Sequence, residues 1–398
     1  MRKGQPSRIV ATLALLGLGA AAFPESHGHA QAQAADPTKL PAMLARIKLP
    51  PGFHIEFLAS APGARALTVS PDQSTLVVGT TGKAVYQMAL GRRGASAERF
   101  APGVNFVMPN GPCFAPNGDL FIAEHNRVLR FSPAADGKGW DETHPKAIVP
   151  LGELIPAAET SPIHSARVCR IGPDGLLYIA IGQPYNVPPK SKRALYDQWG
   201  MGGIIRMNRE GGDREVFARG IRNSVGLDFD PQDKVLWFTD NQTDDLGDDI
   251  PPGEINRAPK AGLNFGFPWY GGGHIRTREY ADETPPADVV FPAVEEVAHA
   301  ADLGMIFYRG TQFPREWRGI FSAQHGSWAR SIPIGARVMF TKVRDGKASA
   351  SVPFAEGWNP GNAAYLGRPV DVAELPDGSL VVSDDLNGAL YRIFYDGK

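Results

Sequence analysis

Several side chains able to do chemistry in this 398-residue sequence stand just ahead of apolar strand-like runs. His164 lies in Ser161-Pro162-Ile163-His164-Ser165-Ala166-Arg167. A histidine at the mouth of a strand suits a general base, because its reference pKa near ~6.5 leaves it neutral and able to accept a proton. The alternative is a structural histidine bonded to a loop carbonyl. Arg222-Asn223 precedes Val225-Gly226-Leu227, where a planar fork of donors plus an amide can meet a carboxylate or a quinone oxygen. Arg330 and Arg368 occupy comparable places. Three arginines converging on one channel are costly without an anion, so they imply a polyanionic ligand. Dispersed in solvent, they would imply none. The run 240–249 is dense in acidic and amide side chains, whose hard oxygens suit Ca²⁺. It lacks EF-hand spacing, and a solvated acidic loop is the competing explanation.

These residues need a frame, and a recurring phrase supplies one. An apolar run, a turn of Pro with Asp, Asn or Gly, and a second apolar run recur at 67–78, 112–123, 167–181, 225–239 and 370–383, with a looser copy at 303–328. Proline presets φ for one turn position, while Asp, Asn and Gly tolerate what the next ones need. The flanking runs are short and apolar, as buried strands are. Six such units without a linker predict an all-β, six-bladed β-propeller of four-stranded antiparallel sheets over residues 37–398. The isolated alternating strand at 52–58 is expected to close the last blade beside 390–395. Function belongs in the long loops at 183–203, 240–280 and after Gly326.

Arg2, Lys3 and Arg8 precede an apolar run and then Ala30-Gln31-Ala32, which predicts a signal peptide over residues 1–32 and a periplasmic or secreted protein. The apolar run is shorter than the ~20 residues that span a bilayer, so stable membrane insertion is not expected. The formal charge of -1 becomes about -3 without that segment, and basic clusters with interleaved aromatics are lacking, which argues against nucleic acid. Cys113 and Cys169 fall three and four residues ahead of their turn prolines. Alternation then points them to opposite faces, and two buried thiols are expected rather than a disulfide.

Taken together, the segments resemble the soluble quinoprotein sugar dehydrogenases, in particular their sorbosone dehydrogenase branch. The resemblance rests on His164-x-x-Arg167 before Pro173-Asp174-Gly175, Arg222-Asn223, Leu246-Gly247-Asp248-Asp249-Ile250-Pro251, and Asn264-Phe265-Gly266-Phe267-Pro268. His299-Ala300, His325-Gly326-Ser327-Trp328-x-Arg330 and Gly367-Arg368-Pro369-Val370 complete it. It implies a propeller enzyme using pyrroloquinoline quinone (PQQ) and Ca²⁺, which oxidises a sugar or a sorbosone-like aldehyde and passes electrons to an external acceptor, a quinone or a cytochrome. It implies that His164 takes the hydroxyl proton, that Arg222, Asn223, Arg330 and Arg368 hold the cofactor with Asn241 and His299 beside them, and that calcium sits near the carbonyls of Gln242 and Thr243. Gln183 stands where glucose-type members carry an aspartate, so one substrate-orienting carboxylate is missing. A calcium-dependent lactonase and a non-catalytic ligand-binding propeller are the alternatives. The lactonase needs carboxylates from several blades, whereas the acids here cluster in one loop.

Overall fold

Every one of the six Pro-turn repeats forms an antiparallel hairpin, and these hairpins are the two inner strands of six blades. The computed structural model describes Met1, Asp36 and residues 38–91, 96–361 and 364–397; the expected signal peptide lies, apart from Met1, outside the described residues. The described residues from Asp36 onward form one compact unit. The inner strands Ala64–Val69, Gly111–Phe114, Val168–Ile171, Leu227–Phe229, Asp302–Phe307 and Pro369–Glu374 touch one another in sequence, and the last touches the first, which closes the ring.

Blades in a ring are covered on both faces, so their strands carry apolar residues in succession instead of alternating. Leu177–Ile181 and Leu236–Asp240 are buried at every position. The described residues form six apolar clusters, one at each blade-to-blade contact; Phe121 and Ile179 share the one between blades 2 and 3. Each large apolar side chain buried there contributes about 1.5–3 kcal/mol. The expected closure is also present: Phe53–Ser60 pairs antiparallel with Ala389–Tyr395, from Phe53 opposite Tyr395 to Ser60 opposite Ala389. Blade 3 departs from four strands, because the excursion after Ala258 returns Leu263–Asn264 as a short parallel strand beside Glu215–Arg219.

The two cysteines correct the sequence expectation. Cys113 and Cys169 form a disulfide, with Cα atoms 5.7 Å apart. Relative to the amides that close their turns, Ala115 and Gly172, the two positions differ by one residue, so they do point to opposite faces. In a ring, however, the trailing face of one blade packs on the leading face of the next. Opposite parity in successive blades is therefore what brings two side chains together.

The pairing also places the functional segments. Inner strands begin where second strands end, as in Gly111 opposite Ala123, Asp302 opposite Gln324 and Pro369 opposite Asp384. Residues that enter inner strands and residues that leave second strands thus share one end of the ring. Below that mouth the axis is packed, with a void of only about 10 Å³ among Ala66, Val168, Val225, Met305 and Asp371.

Candidate active site at the mouth of the ring

His164 enters blade 3 with φ of 50°, in the left-handed region. Its Nδ1 lies 2.7 Å from the Gln183 carbonyl oxygen, just past the second strand of the same blade. A carbonyl can only accept, so Nδ1 carries the proton and Nε2 keeps a free lone pair. Desolvation, together with the positive charges of Arg222 and Arg167, lowers the imidazole pKa to about 3. The ring is therefore neutral at physiological pH. Gly182 makes room for this arrangement: a Cβ there would lie 2.5 Å from both the His164 carbonyl and Asn223 Oδ1.

Arg167, one turn along, is 1 % exposed and bonds only to carbonyls, those of His125 (3.1 Å) and His164 (2.9 Å). Burial pulls its pKa down to about 9. The Arg167 carbonyl accepts from Asn110 Nδ2, and Asn110 Oδ1 accepts from Arg65 Nε, whose NH1 reaches Asp385 at 2.6 Å. Asp385 also binds His325 Nε2 at 2.8 Å. A polar belt thus runs from blade 3 through blades 2 and 1 to blade 6 and blade 5. Arg65, Asn110, His125, Arg167, His325 and Asp385 were not among the site residues expected from sequence.

Arg222 enters blade 4 with one N–H of NH1 left over: Nε and NH2 donate to the carbonyl and side-chain oxygens of Asn186, NH1 to the Asn241 carbonyl at 3.3 Å, and NH2 to Asp244 at 2.9 Å. Asn223 is fixed by its backbone, and its Oδ1 is buried without a partner. Asn241 Nδ2 donates to the carbonyls of Asn223 and Asp302, bridging blades 4 and 5. His299 Nε2 donates to the carbonyls of Gly247 and Ile250, with Nδ1 3.9 Å from Asp244.

Asp240 accepts both the Arg222 and Asn223 backbone amides and so shapes this turn. Opposite it, Glu254 is buried, and desolvation and then the Asp240 charge hold its carboxyl above the ordinary value of 4.5. A carboxyl that is harder to ionise in the folded state loses stability as pH rises above 4.5. Glu254→Gln should therefore gain stability over the parent on going from pH 5 to pH 8, read as the difference in denaturant midpoints. An unchanged difference would show that Glu254 ionises equally in both states.

Arg330 and Arg368 complete the mouth in different ways. Arg330 donates to the carbonyls of Asp248, Ala298 and Ile332 and to Asp249, so it stitches three loops together. Arg368 reaches the His325 and Gly326 carbonyls at 3.1 and 2.7 Å and lies over the Tyr365 ring; among the described residues no carboxylate accepts a hydrogen bond from its side chain. Within the acidic run, Asp244, Asp248 and Asp249 are engaged by Arg222, Ser331 and Arg330. Thr243 donates N–H and Oγ1–H to the Gly271 carbonyl; among the described residues neither the Gln242 nor the Thr243 carbonyl accepts a hydrogen bond.

The donor set fits a polycarboxylate quinone. Among the described residues Arg167 and Arg368 have only neutral acceptors, and Asn223 Oδ1 and His125 Nε2 are buried and unpartnered. Excess positive charge beside unsatisfied polar atoms is stabilised by an anion that brings its own hydrogen bonds. Calcium fits the free carbonyls of Gln242 and Thr243 better than the carboxylates, since among the described residues no three His, Cys, Asp or Glu side chains form a metal-ligating group.

Comparison with known proteins bears on the family and the fold. The sequence pattern of the family described as Glucose / Sorbosone dehydrogenase matches residues 151–392. An uncharacterised protein of Borreliella burgdorferi is 35% identical over 250 residues, covering 61% of this chain and 63% of that protein, so the chain spans less than two thirds of that relative's length. Among solved structures, the calcium structure of a Trichoderma reesei carbohydrate-active enzyme of family AA12 superposes with TM-score 0.72 at 16% identity, covering 88% of this chain and 97% of that one. The holo PQQ domain of pyranose dehydrogenase from Coprinopsis cinerea gives 0.70 at 18%, with 87% and 97% covered. The apo form of the soluble aldose sugar dehydrogenase of Escherichia coli gives 0.58 at 19%, with 87% and 100% covered. At these identities the three structures establish the propeller fold.

Proposed function

Because the chain belongs to the glucose/sorbosone dehydrogenase family, we propose that it is a PQQ-dependent, calcium-assisted dehydrogenase. It oxidises an aldose or a sorbosone-like aldehyde at its hemiacetal or hydrated-aldehyde carbon and passes the electrons to an external acceptor. The observation that carries this reading is the His164 Nδ1 contact to the Gln183 carbonyl, which aims a neutral Nε2 lone pair away from its anchor. When bound, PQQ supplies the two-electron acceptor for the sugar's hydride.

His164 Nε2 takes the proton of the hydroxyl on the carbon being oxidised, while Nδ1–H stays on Gln183 and fixes the ring plane. Arg167, Arg222 and Arg368 hold the cofactor's carboxylates and quinone oxygens, with Asn223 as a polar contact. Arg330, Asn241 and His299 act at the same mouth by holding loops 240–250 and 297–302 in place. The carbonyls of Gln242 and Thr243 serve the calcium. An anion beside Arg167 and Arg222 offsets the charges that depress His164 and makes it a better base at neutral pH. A location outside the cytoplasm is supported by the Cys113–Cys169 disulfide, a bond favoured in oxidising compartments.

The test is to add PQQ and Ca²⁺ to purified apoprotein and follow dye reduction with aldoses and with sorbosone. Sugar-dependent dye reduction that needs both additions supports the proposal, and none with any sugar rejects it. Arg368→Ala should raise the Kd for PQQ about 10- to 100-fold, the effect of losing a charge-assisted contact of about 1.5–3 kcal/mol. An unchanged Kd would remove Arg368 from the cofactor site.

A further inference from the structure

The mouth of the ring is edged by apolar side chains that the sugar chemistry does not require. Arg330 draws three loops together, and within two residues of Arg330 or of the groups it binds stand Ile250, Val297, Ile332 and Trp328, which are 41, 40, 69 and 76 % exposed. Val107, Ile163 and Leu386, also exposed, belong to mouth segments of blades 2, 3 and 6. Among the described residues, seven of the eleven large exposed apolar residues after Met1 thus lie at one end of the ring. The same loops expose acids: Asp245 and Asp249 are exposed, as is Glu295 in the strand Val294–Glu296 that leads into Val297. Their one arginine, Arg330, has an 11 % exposed side chain with its donors engaged.

We propose that this acid-edged apolar rim, centred on Trp328 and Ile332, is the docking face for a basic haem protein that accepts the electrons. The inference rests on the dehydrogenase reading above. Each sugar oxidised yields two electrons and two protons. The electrons reduce two ferric haems to ferrous, one per encounter, and the protons go to solvent. Charge complementarity selects the partner: an anionic bilayer would be repelled by the exposed acids, and a second copy would set acids against acids. A basic rim around an apolar haem edge meets both features, and small electron-transfer contacts of this kind are weak and salt-sensitive.

Cytochrome c, a basic haem protein, is a suitable probe. Its binding to the purified protein, with and without PQQ and Ca²⁺, is followed by surface plasmon resonance, and dye reduction is assayed in parallel. Binding should weaken about tenfold in a Trp328→Ser/Ile332→Ser variant and in Glu295→Lys. It should also weaken about tenfold in the parent on going from about 20 to about 200 mM salt. Dye reduction and the sugar KM should stay unchanged in the double variant. If the parent reduces dye yet binds cytochrome c no better than the variants, the docking face is refuted and the dehydrogenase reading stands. If variant-sensitive binding occurs without any dye reduction, the dehydrogenase reading fails and the electron-accepting role falls with it. A raised sugar KM in the double variant would assign the rim to substrate and overturn the proposal.

Discussion

Removing the imidazole at position 164 should lower kcat about 10²- to 10⁴-fold, the usual contribution of a positioned general base, with PQQ affinity little changed. His164→Asn is a better variant than His164→Ala, because φ at this position is 50° and asparagine tolerates the left-handed region. The variant keeps the backbone turn that supplies the His164 carbonyl to Arg167, so the cofactor site should survive. Steady-state kinetics with dye, together with a PQQ titration, separate the two effects. Retained turnover would show that another group takes the proton. Lost PQQ binding would show that His164 is chiefly structural.

Loss of the Cys113–Cys169 bond should be the largest single effect on stability. The crosslink closes a loop of 56 residues, and the chain-entropy estimate for that length is about 4 kcal/mol. The bond also lies within the apolar cluster between blades 2 and 3, so Cys113→Ala/Cys169→Ala should unfold at clearly lower denaturant than the oxidised parent. Equal midpoints would mean that the blade contact holds without the bond.

Much of the frame was legible because the Pro turns repeat: each announces a hairpin, and the strand at Phe53–Ser60 had no partner other than the last blade. The disulfide was not legible by strand alternation alone. That rule treats a blade as an isolated sheet, and the contact belongs to the ring. In the site, His164 and Arg222 could be found from their positions ahead of strands. Asp244, the partner of Arg222, stood in a run read as a calcium-binding or solvated loop.

Arg65, Asn110 and Arg167 were missed, although a signal exists for them. Each lies five residues ahead of the amide that closes its Pro turn, at Ser70, Ala115 and Gly172. Aligning repeats on that amide, instead of on the proline, would have exposed a polar position entering three successive blades. Inner strands are otherwise apolar there, so the polar residues mark where the ring opens. Asp385 and His325 each directly follow the last residue of a second strand, as His125 and Asn241 do, so that position becomes visible only once the strand ends are fixed.

A crystal structure of the protein grown with PQQ and Ca²⁺ would decide most directly whether this mouth is a quinone site. The quinone should lie beside His164 Nε2, with its carboxylates on Arg167, Arg222 and Arg368 and the calcium against the carbonyls of Gln242 and Thr243. Quinone bound elsewhere, or a mouth left empty at saturating PQQ, would contradict the assignment.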